Sequence, residues 1–319
     1  MGYTVFIGDV ARDEYYRVER FPILGEKVPM HFVSKELGGM IANAAAVYSS
    51  YGAKARFLSF LNPDDKGLCD QLNQLGIDTS LVQFDEILGP SKCVIYLADD
   101  EHTVFISDMK RHPVEISEQT QTTLCEADSI YSNFWELQWL RQGDKGPVEI
   151  VQDWAEHGVK LVCDLDVDTI SGKDYQQFIP YTHMLFMNKV GFERMCHGRS
   201  EQQSVEDLHS LGLETLIVTL AEQGCRVYHK GAPPLAIPAV KTAVVDVTGA
   251  GDTFCSTFLW GYQILHSFAL AAQFATYAAA RSITLLGARS GAAGLKPVLD
   301  FIEHHDLQKE FLDRILPYL

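Results

Sequence analysis

The residues most able to do chemistry lie in one run, Val244-Val245-Asp246-Val247-Thr248-Gly249-Ala250-Gly251-Asp252-Thr253-Phe254. It reads as an apolar strand that breaks at a Gly-Ala-Gly turn and resumes as a helix, with Phe254, Phe258, Tyr262 and Leu265 at helical spacing. Glycine lets the backbone approach a bound group closely, and a helix start directs unpaired N–H groups and the positive end of its dipole at that group. The amides of Gly249, Ala250 and Gly251 therefore form a candidate anion hole, and Asp252 stands inside it as an unpaired carboxylate. A base beside an anion site suits the transfer of a phosphoryl group to an alcohol.

Elements that must position this turn follow from an alternation along the chain. Strand-like runs at Tyr3–Gly8, Ala55–Leu61, Ser129–Ser132, Lys160–Asp164, Met184–Met187 and Leu216–Leu220 are separated by segments of helical period, including Gly39–Tyr51, Asp65–Leu75, Val148–His157 and Val205–Leu211. After the turn come two more, Asp252–Leu265 and Phe268–Leu285. That rhythm predicts an α/β fold with a mostly parallel sheet covered on both faces. Tyr15–Val33 and Lys92–Ile106 break it with strand-like alternation and no helix between, which predicts a small β-rich lid inserted in a single domain spanning 1–319.

Ligands of open parallel sheets bind beyond the carboxyl ends of the strands. Polar residues expected there are Asp13, Asn43 behind the pair Gly38-Gly39, Asp164, Asp166 and Asn188. Taken singly, each also suits a helix cap or a turn; their joint placement points to a site.

Composition narrows the class. The chain has 319 residues, 47% of them hydrophobic, and a formal net charge of -16, which disfavours nucleic acid and anionic membranes as partners. No apolar run is long enough to span a bilayer, the start lacks a signal-peptide pattern, and seven scattered cysteines without a Cys-x-x-Cys pair suit a reducing compartment, so a cytoplasmic enzyme is expected. His304-His305 lacks metal-ligand spacing and reads as a solvated helix end. Neither Gly-x4-Gly-Lys-Ser/Thr nor Gly-x-Gly-x-x-Gly after a strand occurs.

The run Asp246-Val-Thr-Gly-Ala-Gly-Asp-Thr-Phe254 closely resembles the second signature of the ribokinase-like, or PfkB, family of carbohydrate kinases. Further similarity covers roughly residues 4 to 290: the Gly8-to-Asp13 spacing, Gly38-Gly39-x-x-x-Asn43, Asp64-Asp65-Lys66-Gly67 and Thr219-Leu220-Ala221-Glu222-Gln223-Gly224. The resemblance implies a three-layer sandwich with a lid, with Asp252 as catalytic base. It also implies that Asp13, Gly38, Gly39 and Asn43 hold the sugar, and that Asn188, Thr219 and Gly224 line an ATP site. ATP with Mg2+ is the implied cofactor set, and Asp246 with the Thr248 carbonyl resembles a monovalent-cation site for K+. The loop Gly287–Gly291 is the expected opposite wall of the turn.

Departures from the pattern are Asn62 and Ala221 where Gly is usual, Thr257 where a small residue is usual, and Asn188-Lys189-Val190-Gly191 where Asn-x-x-Glu is usual, with Glu193 the nearest acid. The acidic run Asp164-Leu165-Asp166-Val167-Asp168 would repel a bound carboxylate, so a neutral sugar or sugar-like polyol is the expected substrate. A nucleoside is the alternative, since Phe105–Met109 resembles the segment of pseudouridine-kinase-like members and Trp135 or Trp139 offers a stacking face. A sugar- or nucleotide-binding sensor without turnover is the non-enzymatic reading. Apolar alternation in the lid leaves one face needing cover, which predicts a homodimer through the lids.

Overall fold

The computed structural model describes residues 2–98, 101–165, 173–305 and 310–318. Asp166 and Asp168 lie outside the described residues. A 9-stranded sheet forms the centre, in the order Leu235–Ile237, Cys225–His229, Thr215–Thr219, Thr182–Asn188, Lys160–Leu165, Ser129–Ser132, Thr4–Ile7, Ala55–Leu58 and Ile77–Asp78. All neighbours are parallel except the first three strands of that order, which run antiparallel to one another.

Side-chain alternation builds two cores. Val5, Ile7, Ile130, Leu161, Cys163, Leu185 and Met187 are buried in the core on one face, while Phe6, Tyr131, Val162, Phe186 and Ile217 are buried in the other. The second core also receives helix Met40–Ser50 and the hairpin of helices Ala250–Leu265 and Phe268–Ser282. Both helices flanking the candidate site are thus fixed by the same apolar layer. Tyr51 and Thr257 tie two of them together through a buried hydroxyl pair at 2.9 Å, which gives the larger Thr257 a partner.

A separate 4-stranded sheet, in the order Met30–Gly38, Ala11–Val18, Lys92–Ala98, Glu101–Ile106, is the β-rich layer. Its strands reach beyond the expected Tyr15–Val33, down to Ala11 and up to Gly38. Asp13 therefore lies within a lid strand, paired in register with Glu36, rather than in a loop after the first strand. The expected strand at Val244–Val247 does not form: Val244, Val245 and Val247 are exposed, and the N–H groups of Val245 and Asp246 donate to the Ile283 carbonyl. Three valines there mimic a strand without a neighbour to pair with. The antiparallel strands Cys225–His229 and Leu235–Ile237, and helices Glu118–Cys125 and Lys189–Cys196, were not among the expected elements.

All seven cysteines are free thiols, five of them buried. No helix among the described residues is long and apolar enough to cross a membrane. His304 and His305 end helix Leu295–His305, with the His305 ring stacked on Phe301.

Candidate active site

Asp9, between the first strand and the lid strand Ala11–Val18, reaches the start of the helix that carries Asn43. Its carboxylate accepts from Met40 N at 3.1 Å and Ile41 N at 3.3 Å, capping the helix in place of Gly39. Gly39 is left-handed at φ 100, and a Cβ there would stand 2.7 Å from the Asp9 carbonyl oxygen. The Asp13 carboxylate lies over Gly38, so close that a Cβ on Gly38 would fall 2.0 Å from Asp13 Oδ2. The structure thus brings Asp13, Gly38, Gly39 and Asn43 to one place.

Asn43, buried one turn into the helix, donates its Nδ2–H to Asp252 Oδ2 at 2.9 Å. Asp252 is therefore paired, contrary to the sequence reading, and two motifs 209 residues apart meet side chain to side chain. Behind this pair, Tyr131 donates its hydroxyl to Asp164 Oδ2 at 3.1 Å. Burial holds both Tyr131 and Cys255 protonated, well above their ordinary ranges, with the charges of Asp164 and Asp252 adding to the effect.

The end of the site next to the lid is rich in carboxyl groups. Burial pushes Asp13 up to about 6; the Cys93 thiol opposes that, while Asp9 and Glu36 reinforce it. Burial, with Asp13 and Asp9 nearby, pushes the Cys93 thiol up to about 12. Glu136 is buried and raised to about 7, a rise that Arg111 opposes and Asp9 supports; Arg111 Nη2 lies 3.4 Å from its Oε1. Glu136, Arg111 and Cys93 were missed in the sequence. A Glu in a short segment behind Asn133 carries no local signal of burial, and Arg111 reaches it only through the chain's return from the lid.

The turn itself is held by Asp246, whose carboxylate accepts from Thr248 N, Thr248 Oγ1 and Gly287 N at 2.7–2.9 Å. Burial acts to raise Asp246, and these hydrogen bonds outweigh it, leaving the group below its ordinary value. Gly249 is left-handed at φ 73, and a Cβ on it would meet the Ala288 carbonyl oxygen at 1.9 Å, so the loop 287–291 does wall the turn. Ala250 N donates to Val247 O at 3.2 Å, and Thr253 N to Gly249 O at 2.9 Å. Ala250's amide is thus engaged within the turn, and the amides leading the helix are those of Gly251 and Asp252.

On the other flank, Asn188 and Thr219 end neighbouring parallel strands in register. Asn188 Oδ1 caps its own helix, accepting from Gly191 N at 2.8 Å. Glu193 lines a groove with Lys189, Leu220 and Gln223 beside that strand end. Gly224 packs against Ile237–Ala239, and beyond them a cavity of about 430 Å³ is lined by Ile237, Val240, Gln273, Thr276 and Tyr277. Ala221 sits at φ 49, a left-handed conformation that costs a residue with a Cβ about 1–2 kcal/mol. Replacing it with Gly is expected to stabilise the fold by about 0.5–1 kcal/mol in equilibrium denaturation, the strain relieved exceeding the entropy gained by the unfolded chain. Asn62, the other departure, caps the turn Pro63–Asp65 and donates Nδ2–H to Leu88 O at 2.7 Å.

An open parallel sheet with a carboxylate at a helix start, a β-rich layer beside it and two strand-end polar flanks fits a phosphotransferase of the carbohydrate-kinase type. The chain belongs to the pfkB family of carbohydrate kinases, whose family model matches residues 1–293. It is 26% identical over 308 residues to the ribokinase of Haemophilus influenzae, covering 93% of this chain and 97% of that one. To the nucleoside kinase of Methanocaldococcus jannaschii it is 27% identical over 264 residues, covering 80% and 82%. The structure of Arabidopsis thaliana ribokinase complexed with ribose and ATP superposes with a TM-score of 0.81 at 22% identity, covering 95% of this chain and 99% of that one.

Proposed function

We propose that this protein transfers the γ-phosphoryl group of ATP to a hydroxyl of a neutral sugar or sugar-like polyol, with Asp252 as the base. The observation that carries this reading is the contact between Asn43 and Asp252, which joins the expected sugar-holding motif to the expected catalytic one. The acceptor oxygen attacks the γ-phosphorus, the bond to the β-phosphate oxygen breaks with its electron pair leaving on ADP, and the hydroxyl proton passes to Asp252. Charge developing on the phosphoryl oxygens is met by the leading amides of the helix, Gly251 and Asp252.

Carboxyl groups at the acceptor end support a neutral substrate. Asp9 and Glu36 act on Asp13 with only the Arg289 charge opposing them, and Asp9 also acts on Glu136, whose partner is Arg111; this excess of carboxyl groups over guanidinium groups disfavours an anionic acceptor. Asp13 and Asn43, with Gly38 and Gly39 behind them, are the groups assigned to its hydroxyls. On the nucleotide side we assign Asn188, Thr219 and Gly224, with the cavity beside Ile237 and Tyr277 taking the base. A second reading, a nucleoside acceptor, is favoured by Trp135: it is half exposed on the same short helix as Glu136, edge-to-face with Trp139.

Among the described residues no group of three or more His, Cys, Asp or Glu side chains could hold a metal ion. Magnesium entering with the nucleotide would keep phosphate oxygens and waters as ligands and needs only one or two protein carboxylates, as this ion commonly does. Asp246 and the Thr248 carbonyl are our candidates for a K+ contact beside the turn.

A coupled ADP-release assay over D-ribose, D-fructose, adenosine, uridine and pseudouridine tests the reading. Turnover with a free sugar supports it; turnover with nucleosides alone favours the second reading, and ligand-induced thermal shifts without any ADP release would leave a sensor.

The lid sheet exposes Met30, Phe32, Val104, Phe105 and Ile106, an apolar set that a second lid would cover. We expect a homodimer mass in light scattering at micromolar concentration, and a monomer with full activity would remove the dimer from the functional account.

A further inference from the structure

Asn43 faces two ways. Its amide N–H points to Asp252 Oδ2 at 2.9 Å, while its Oδ1 is buried with no hydrogen-bond partner among the described residues. The opposite amide orientation would set two acceptors against each other, so only this one satisfies the carboxylate. The backbone beneath is rigid: Asn43 N donates to Gly39 O, and one turn along the facing helix Ser256 Oγ donates to the Ala44 carbonyl at 2.6 Å.

We propose that Asn43 is a positioning residue for the base, its amide N–H fixing the Asp252 carboxylate in its ionised form while its free Oδ1 accepts from the bound acceptor. This rests on Asp252 being the base, and it adds a second role to a residue otherwise assigned only to the sugar. One side chain then couples acceptor binding to the orientation and proton affinity of the group that takes the proton.

Titratable groups that interact with Asp252 include Cys255 on its own helix and Tyr131 from strand Ser129–Ser132, and both of these also interact with Asp164 from strand Lys160–Leu165. Asp13 and Arg289 interact with each other nearby, from the lid and the loop 287–291. Tyr131 and Cys255 stay protonated across the working range, so Asn43 is the neutral donor whose removal changes the charge balance least.

The test is a carboxyl 13C NMR titration of the full chain without ligands, with Asp252→Asn identifying the Asp252 resonance. In Asn43→Ala the Asp252 midpoint is expected to rise by about one pH unit, the effect of losing one hydrogen bond to a charged acceptor. Asn43→Asp keeps the shape and sets a second carboxylate there, so the coupled pair should titrate with its upper midpoint higher still. With D-ribose as acceptor, the acid limb of kcat/KM should move in step. Folded variants with an unmoved Asp252 midpoint would overturn the proposal, as would a raised KM with an unshifted pH profile. Full turnover in Asp252→Asn would sink the base assignment instead, while leaving the titration result standing.

Discussion

Asp252→Asn is expected to lower kcat by at least about two orders of magnitude while leaving substrate affinity nearly intact. The amide keeps the shape of the carboxylate and the contact distance to Asn43, but offers no site for the departing proton. The loose transition state expected of phosphoryl transfer lets the proton leave late, so positioning and the helix-start amides keep part of the acceleration. The drop is therefore large but not total. Steady-state kinetics with the best acceptor of the panel, beside isothermal titration of the same ligand, separates the two quantities. Near-full turnover in a folded Asp252→Asn protein would remove the base assignment, and a parallel collapse of binding would make Asp252 a substrate-holding residue.

What the sequence made legible divides along physical lines. Parallel strands such as Thr4–Ile7 and Lys160–Leu165 are buried on both faces, so their apolar runs are visible without context. Helix Ala250–Leu265 announces itself by the glycine that must be left-handed before it. The edge strand Leu235–Ile237 and its antiparallel neighbour Cys225–His229 carry mixed polarity, with Arg226 ion-paired to Glu201, and gave no such pattern. Val244–Val247 shows the reverse error: β-branched residues signal a strand only where a neighbour can pair with them, and here the nearest backbone is a helix end at Ile283. At the site, motif residues whose types are unusual for their setting were found, Asp13, Asn43 and Asp252 among them. Glu136 and Arg111 were not, because their meaning arises from burial and from each other, and neither is encoded locally. The departures from the family pattern acquired reasons only in three dimensions, Thr257 through Tyr51 and Asn62 through Leu88.

Asp13→Ala is expected to weaken acceptor binding by about 1–3 kcal/mol, the loss of a partly buried acceptor for sugar hydroxyls, with the affinity for ATP barely changed. The same carboxyl sets a pH dependence whose sign follows from its environment. Burial raises it from 3.8 to about 6, so the protonated form is favoured in the unliganded fold. The stability this contributes is present in full below pH 3.8 and is lost as pH rises through about 6. Binding runs the other way, because a hydroxyl donor needs the ionised carboxylate. The acceptor KM of the wild-type protein should therefore climb as pH falls below about 6, and acceptor binding near that pH should release protons, measurable as a buffer-dependent enthalpy in calorimetry. Both signatures should vanish in Asp13→Asn, which keeps an acceptor but cannot titrate there. Equal losses for acceptor and ATP, or a fall in melting temperature with unchanged affinities, would return Asp13 to a role in lid packing alone.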